Sequence, residues 1–245
     1  MFSRIAIVAA MEREISFLRR AMSPPDDTGK RLVVGAVGAR TVTLLRTGVG
    51  PLRTAQRLKE INQSCKPECV ISVGCAGALS PRVGIGEVVI PEKLIDDSAG
   101  GKEYFSFPDL VKKAVACCGR LGIPSHLGYT VSTPTVAATP EDKKRLATKY
   151  GAFAVDMESA QVGAWAAASG LPMLTIRAIS DTATDRIPPE VNTIVGPDER
   201  IRISEAMKLL VQRPMLLPEL LRLKRNLYRS FASIEKVVTV LLRDM

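Results

Sequence analysis

Glu14, Cys75, Glu158, Arg177, Ser180 and Asp181 are side chains able to move protons or grip a polar ligand, and each stands at the end of an apolar run. Glu14 lies four residues beyond the run 4–10, at the start of an expected helix. Cys75 sits in Gly74-Cys75-Ala76-Gly77, after the run 69–73. Asp156-Met157-Glu158 follows a third run, and Arg177, Ser180 and Asp181 close a fourth. Open α/β sheets bind ligands beyond strand ends, so acid–base work by carboxyl groups is the chemistry to look for. Each residue alone has a plainer reading. An acid at a helix start stabilises the helix dipole. Gly74–Gly77 reads as a tight turn, since no Lys-Ser/Thr follows to make a phosphate loop. Asp181 can cap a turn, and Met157 can fill a core. The one histidine, His126, would have to carry any serine–histidine chemistry or histidine metal site by itself. The five cysteines are an odd number without Cys-x-x-Cys spacing, which reads as reduced, cytoplasmic usage. A zinc site on Cys65 and Cys69 is the weaker alternative, and no metal is expected.

The elements that must position these groups alternate. Strands are expected over 4–10, 32–37, 41–46, 69–73, 87–90, 127–132, 153–155 and 173–179. Helices are expected over 11–22, 51–62, 108–121, 139–149 and 157–169, then two more after a loop over 181–200. This alternation with short turns predicts a three-layer α/β/α domain around a mixed central sheet. With 245 residues, 46% of them apolar, the chain is long enough for a substantial core. Aromatics make up only 4%, against a base-stacking single-strand binder. No run of 18 apolar residues exists, so no transmembrane helix is expected, and the N-terminal run reads as a buried strand, not a signal segment.

Four segments occur in order: Ala10-Met11-Glu12-Arg13-Glu14-Ile15, Val73-Gly74-Cys75-Ala76-Gly77-Ala78, Val155-Asp156-Met157-Glu158-Ser159-Ala160 and Ile176-Arg177-Ala178-Ile179-Ser180-Asp181. Together they resemble the purine nucleoside phosphorylase and nucleosidase family, on its hydrolytic branch with methylthioadenosine/S-adenosylhomocysteine nucleosidase. The resemblance covers about residues 4–210. It implies cleavage of a purine N-glycosidic bond, without a cofactor. Cleavage passes through a ribosyl cation leaving a purine anion, and needs an acid, a hydroxyl clamp and a nucleophile. The resemblance assigns Asp181 as the acid at purine N7, supported by Ser180. Such a carboxyl must keep its proton near neutral pH, which partial burial favours. Glu158 matches the group gripping the ribose hydroxyls, Met157 the packing on the ribose, and Glu14 the residue activating water. Arg177, Cys75 and Val136 are expected to line the same pocket. Two departures stand out. Cys75 replaces the family's usual serine, a weaker donor. Ser132-Thr133-Pro134-Thr135-Val136-Ala137 occupies the place of an aromatic beside adenine. A carboxylate nucleophile partner favours water over phosphate, although Arg13, Arg46 and Arg177 keep phosphorolysis as the alternative.

The net charge of +9 is unevenly placed. Residues 200–245 hold ten Lys and Arg against four Asp and Glu, a net +6. In this stretch Leu220, Leu227, Ile234 and Leu241 recur every seven residues, as do Arg222, Arg229, Lys236 and Arg243. The two rows fall on opposite helix faces. Docking on the domain, self-association or a place on a membrane surface all suit such a helix. Residues 1–212 are expected as the catalytic domain and 213–245 as a basic extension. That extension resembles the hopanoid-associated phosphorylase subgroup, which implies a lipid-linked substrate, adenosylhopane. Deleting residues 214–245 is then expected to weaken liposome binding. The family also implies a homo-oligomer. The rival class, a non-enzymatic lipid- or nucleic-acid-binding module, fits poorly, because separated acids repel phosphates.

Overall fold

The computed structural model describes residues 2–24, 30–188, 213 and 215–245. The expected loop beyond residue 188 and the first of the two closing helices lie outside the described residues. The described strands are β1 (Arg4–Ala9), β2 (Leu32–Val37), β3 (Arg40–Arg46), β4 (Cys69–Ala78), β5 (Val88–Asp96), β6 (Lys102–Phe105), β7 (Ser125–Ser132), β8 (Ala154–Asp156) and β9 (Met173–Asp181). The described helices are α1 (Ser16–Ala21), α2 (Pro51–Ser64), α3 (Pro108–Leu121), α4 (Pro140–Tyr150), α5 (Ser159–Ala168) and α6 (Leu216–Asp244).

The strands form one mixed sheet ordered β2-β3-β1-β4-β8-β7-β5-β6, with β9 pairing to both β4 and β5. That double pairing closes a ring through β4, β8, β7, β5 and β9. Side chains alternate across β1, as a two-sided strand requires. Ile5, Ile7 and Ala9 join a core with Phe17 and Leu18 of α1, Leu110 and Ala114 of α3, and Ile234, Val238 and Leu241 of α6. Ala6 and Val8 face the other way, onto Leu58 and Ile61 of α2 and Ala160 and Ala166 of α5. Helices therefore cover both sheet faces, giving the three-layer α/β/α arrangement.

Several elements depart from the sequence-based expectations. Residues 11–22 divide into a 3-10 turn, Glu12–Glu14, and the short α1. The Glu14 carboxylate accepts from the Met11 N–H at 2.8 Å, which holds the chain in that turn. β5 runs on through Pro91, where a register shift against β7 absorbs the missing N–H. Gly74–Gly77 is not a turn: β4 continues through it to Ala78. α6 docks on the domain, with Ile234 and Leu241 fully buried and Arg222, Arg229, Lys236 and Arg243 exposed. Two hydroxyls fasten it: Ser230 donates to the Ile179 carbonyl and Ser233 to the Gly86 carbonyl, each at 2.6 Å. The lower half of its apolar row is thus spent on the protein's own core, and is not free for a membrane or a second chain. No described helix is long and apolar enough to cross a membrane.

Candidate active site

The ends of β4, β8 and β9, the turn after β1 and the first turns of α6 surround one cavity of about 250 Å³. Glu14, Cys75, Val136, Met157, Glu158, Ser180 and Asp181 all line it. Arg177 does not. It lies beneath the floor, on a much smaller cavity shared with Glu14 and Glu158. His126 is remote from both and pairs with Glu87 at 2.7 Å.

Glu14 is nearly fully buried, and both its oxygens are held by backbone donors: Oε2 by Met11 N–H, and Oε1 by Cys75 N–H at 3.0 Å. The two glycines of β4 make this crowding possible. A Cβ on Gly74 would sit 3.1 Å from Glu14 Oε1, and one on Gly77 would sit 2.8 Å from Asp181 Oδ2. Their work is therefore to leave room for two carboxylates, which a turn or phosphate-loop reading does not anticipate. A bulge between β4 and β9 at Ala76/Gly77 skips Ser180. The break in alternation lets the adjacent Ser180 and Asp181 both reach the cavity.

Beneath the cavity, Arg177 Nε donates to Asp156 Oδ2 at 2.6 Å and Nη2 to Ser72 Oγ at 2.9 Å. Ser132 Oγ donates to Asp156 Oδ1 at 2.5 Å, and Ser159 Oγ donates to Oδ2. Burial opposes the guanidinium charge, but Asp156, Glu158 and Glu14 outweigh it and hold Arg177 more firmly protonated than usual. The Asp156–Arg177 pair anchors the segment from which Met157 and Glu158 emerge. Glu158 Oε1 accepts from Gly50 N–H at 2.7 Å. Its pKa is nonetheless raised to about 7, first by burial and then by the neighbouring Asp156 charge. The Cys75 thiol is pushed well above its ordinary range, by burial and then by Glu14, so it stays neutral.

The sequence motifs passed over Lys143. It is completely buried, and its ammonium donates to Asp181 Oδ2 at 2.5 Å and to the Thr182 and Asp185 carbonyls at 2.6 and 3.1 Å. Asp181 Oδ1 accepts from Ser180 Oγ at 2.8 Å. Leu223 and Leu227 of α6, with Val49, Val136 and Ile187, make the remaining walls apolar, and among the described residues no aromatic ring lines them.

The sequence profile described as the phosphorylase superfamily matches residues 4–212. The chain belongs to the phosphorylase superfamily. Its fold is shared with solved nucleosidases and a futalosine hydrolase. The methylthioadenosine/S-adenosylhomocysteine nucleosidase of Neisseria meningitidis, solved with methylthio-immucillin-A, superposes with a TM-score of 0.75 at 21% identity, covering 99% of this chain and 100% of that one. The S-adenosylhomocysteine nucleosidase of Streptococcus pyogenes gives 0.76 at 20% identity, over 99% and 97% of the two chains. The futalosine hydrolase of Helicobacter pylori gives 0.76 at 18% identity, over 99% and 98%.

Proposed function

We propose that the protein is a purine-nucleoside N-glycosidase that uses water. The observation that carries this is one cavity lined by Glu14, Glu158 and Asp181 and, among the described residues, by no lysine or arginine. Glu14 and Glu158 as carboxylates suit a cationic sugar between a leaving base and an activated water and repel a phosphate dianion, and Asp181 supplies the acid. The arginines that would favour phosphate are engaged elsewhere: Arg13 with the Tyr228 hydroxyl, Arg46 with Glu12, and Arg177 with Asp156. Glu14, fixed by two N–H donors, orients water and takes its proton. Glu158 as a carboxylate accepts from the ribose hydroxyls and favours positive charge on the sugar. Asp181 protonates the purine at N7. Met157 and Val136 pack on the sugar and base, and the neutral Cys75 offers a weak donor.

The apolar wall of Val49, Ile187, Leu223 and Leu227 supports a nucleoside with an apolar 5′ substituent. Solved relatives of this fold bind methylthio and butylthio compounds. Adenosylhopane, a lipid-linked purine nucleoside, is the favoured substrate, with soluble methylthioadenosine the second reading. A lipid substrate would place the enzyme on the cytoplasmic face of a membrane, where the exposed basic row on α6 meets anionic headgroups. The membrane test needs charge reversal, because deleting α6 would strip Ile234, Val238 and Leu241 from the core. R229E/K236E/R243E is expected to reduce liposome binding while keeping the fold; unchanged binding would remove the membrane role. A homo-oligomer, at least a dimer, completes this reading. Adenine release from both nucleosides, with and without phosphate, tests the activity itself. Release that needs phosphate would establish phosphorolysis instead.

A further inference from the structure

Lysine is almost never fully buried unless it is paired, and a buried pair recovers its desolvation cost only with very good geometry. Lys143 has that geometry. An ammonium carries three N–H donors, and all three find acceptors: Asp181 Oδ2, Thr182 O and Asp185 O. Two of these belong to the turn that follows Asp181, so the first turn of α4 is tied to the end of β9. With Ser180 Oγ on Oδ1, both Asp181 oxygens are held and the carboxyl is fixed toward the cavity.

We propose that Lys143 is a positioning residue for Asp181, which aims its carboxyl and holds in reserve the proton that Asp181 passes to the leaving purine. The inference rests on the reading of Asp181 as the acid. As the C1′–N9 bond breaks, its electron pair moves into the purine and N7 takes a proton from Asp181. Asp181 takes one from the Lys143 ammonium, which becomes an amine. The water oxygen bonds to C1′, and its proton goes to Glu14. After the products leave, Glu14 has gained one proton and Lys143 has lost one, and exchange with solvent restores both.

Other charges bear on the pair from each packed element. After β9, the Asp185 carboxylate accepts from Thr182 N–H and Oγ, and feels both Arg222 and Lys143. From α6, Arg222 stands 3.4 Å from Asp185 Oδ1, and Glu219 lines the same small recess as Asp181 and Asp185. Arg186 pairs with Glu141 at the rim, and on α4 itself Asp142 pairs with Arg145. From β4, the neutral Cys75 lines the cavity beside Asp181, and Glu14 and Glu158 line it too. Lys143 is the cation that touches Asp181 directly.

The test is the pH profile of kcat, from about pH 5 to about pH 10, for wild type, K143R and K143M, with methylthioadenosine and adenosylhopane as probes. In K143R the charge and the donors remain, but a guanidinium does not release its proton. Its kcat is expected to fall about tenfold or more with KM within about threefold. In K143M the reserve proton is gone together with the three donors, so kcat is expected to fall about tenfold or more across the whole profile. A K143R kcat within about twofold of wild type, or a K143M kcat within about twofold where that variant folds, overturns the proposal and leaves the glycosidase reading intact. Thermal unfolding identifies a variant that fails to fold, and the other then decides. If both fail, a proton inventory of the wild-type kcat in mixed light and heavy water decides: a curved inventory supports the two-proton relay, and a linear one overturns it. Wild type that releases no purine overturns both readings.

Discussion

Replacing Glu158 with Gln removes an ionisation that the fold opposes. The carboxyl has a pKa of about 7 in the protein against an ordinary 4.5, because burial and then Asp156 disfavour its charge. Between these values the folded protein keeps a proton that the unfolded chain has released. The folded state binds more protons there, so stability falls as pH rises through the window. A difference of this size corresponds to about 3 kcal/mol, and to about 2 kcal/mol once cavity water screens the charge. Gln retains an oxygen to accept from Gly50 N–H, so the substitution isolates the charge. Urea unfolding of wild type and E158Q near pH 4 and near pH 8 measures the effect. E158Q is expected to gain about 2–3 kcal/mol on wild type across that range. A pH-independent difference would refute the reasoning. A difference of opposite sign would show that Arg177 and Gly50 outweigh burial and stabilise the carboxylate.

E14Q keeps the size of Glu14 but cannot take a proton from water, and its NH2 can no longer accept from one of the two backbone N–H groups; purine release is expected to fall about 100-fold or more, read by single-turnover kinetics. G77A would place a methyl 2.8 Å from Asp181 Oδ2, and is expected to lower kcat far more than the unfolding midpoint. I234A should cost about 2–5 kcal/mol in urea unfolding, since the side chain is fully buried between α6 and the sheet; a loss below about 1 kcal/mol would mean that α6 is not integral to the core.

Much of this arrangement was legible in the sequence, and the gaps have physical causes. Apolar runs such as those of β1 and β4 marked strands because buried strands need them, and carboxylates just beyond their ends marked Glu14, Glu158 and Asp181. β6 was not visible: it is an edge strand with only Tyr104 buried, so its pattern is weak. Pro91 hid the second half of β5, because the bulge that accommodates it, with Glu92 skipped against β7, shows only once the two strands are paired. The two seven-residue rows of α6 showed which faces oppose each other, but not that β9 and β4 cover the apolar one. Lys143 carried no signal at all. A lysine in the first turn of a capped helix normally faces water, and its burial follows from where β9 happens to end. Gly74 and Gly77 read as a tight turn and prove to leave room for two carboxyl groups.

Water attack on a sugar held among Glu14, Glu158 and Asp181 is the step on which the other roles depend. The direct measurement is purine release from methylthioadenosine and adenosylhopane in phosphate-free buffer, followed by phosphate addition. Free purine and free sugar are expected without phosphate, at a rate that phosphate leaves unchanged and E14Q abolishes. Release that requires phosphate or arsenate, or none from either nucleoside, would contradict it.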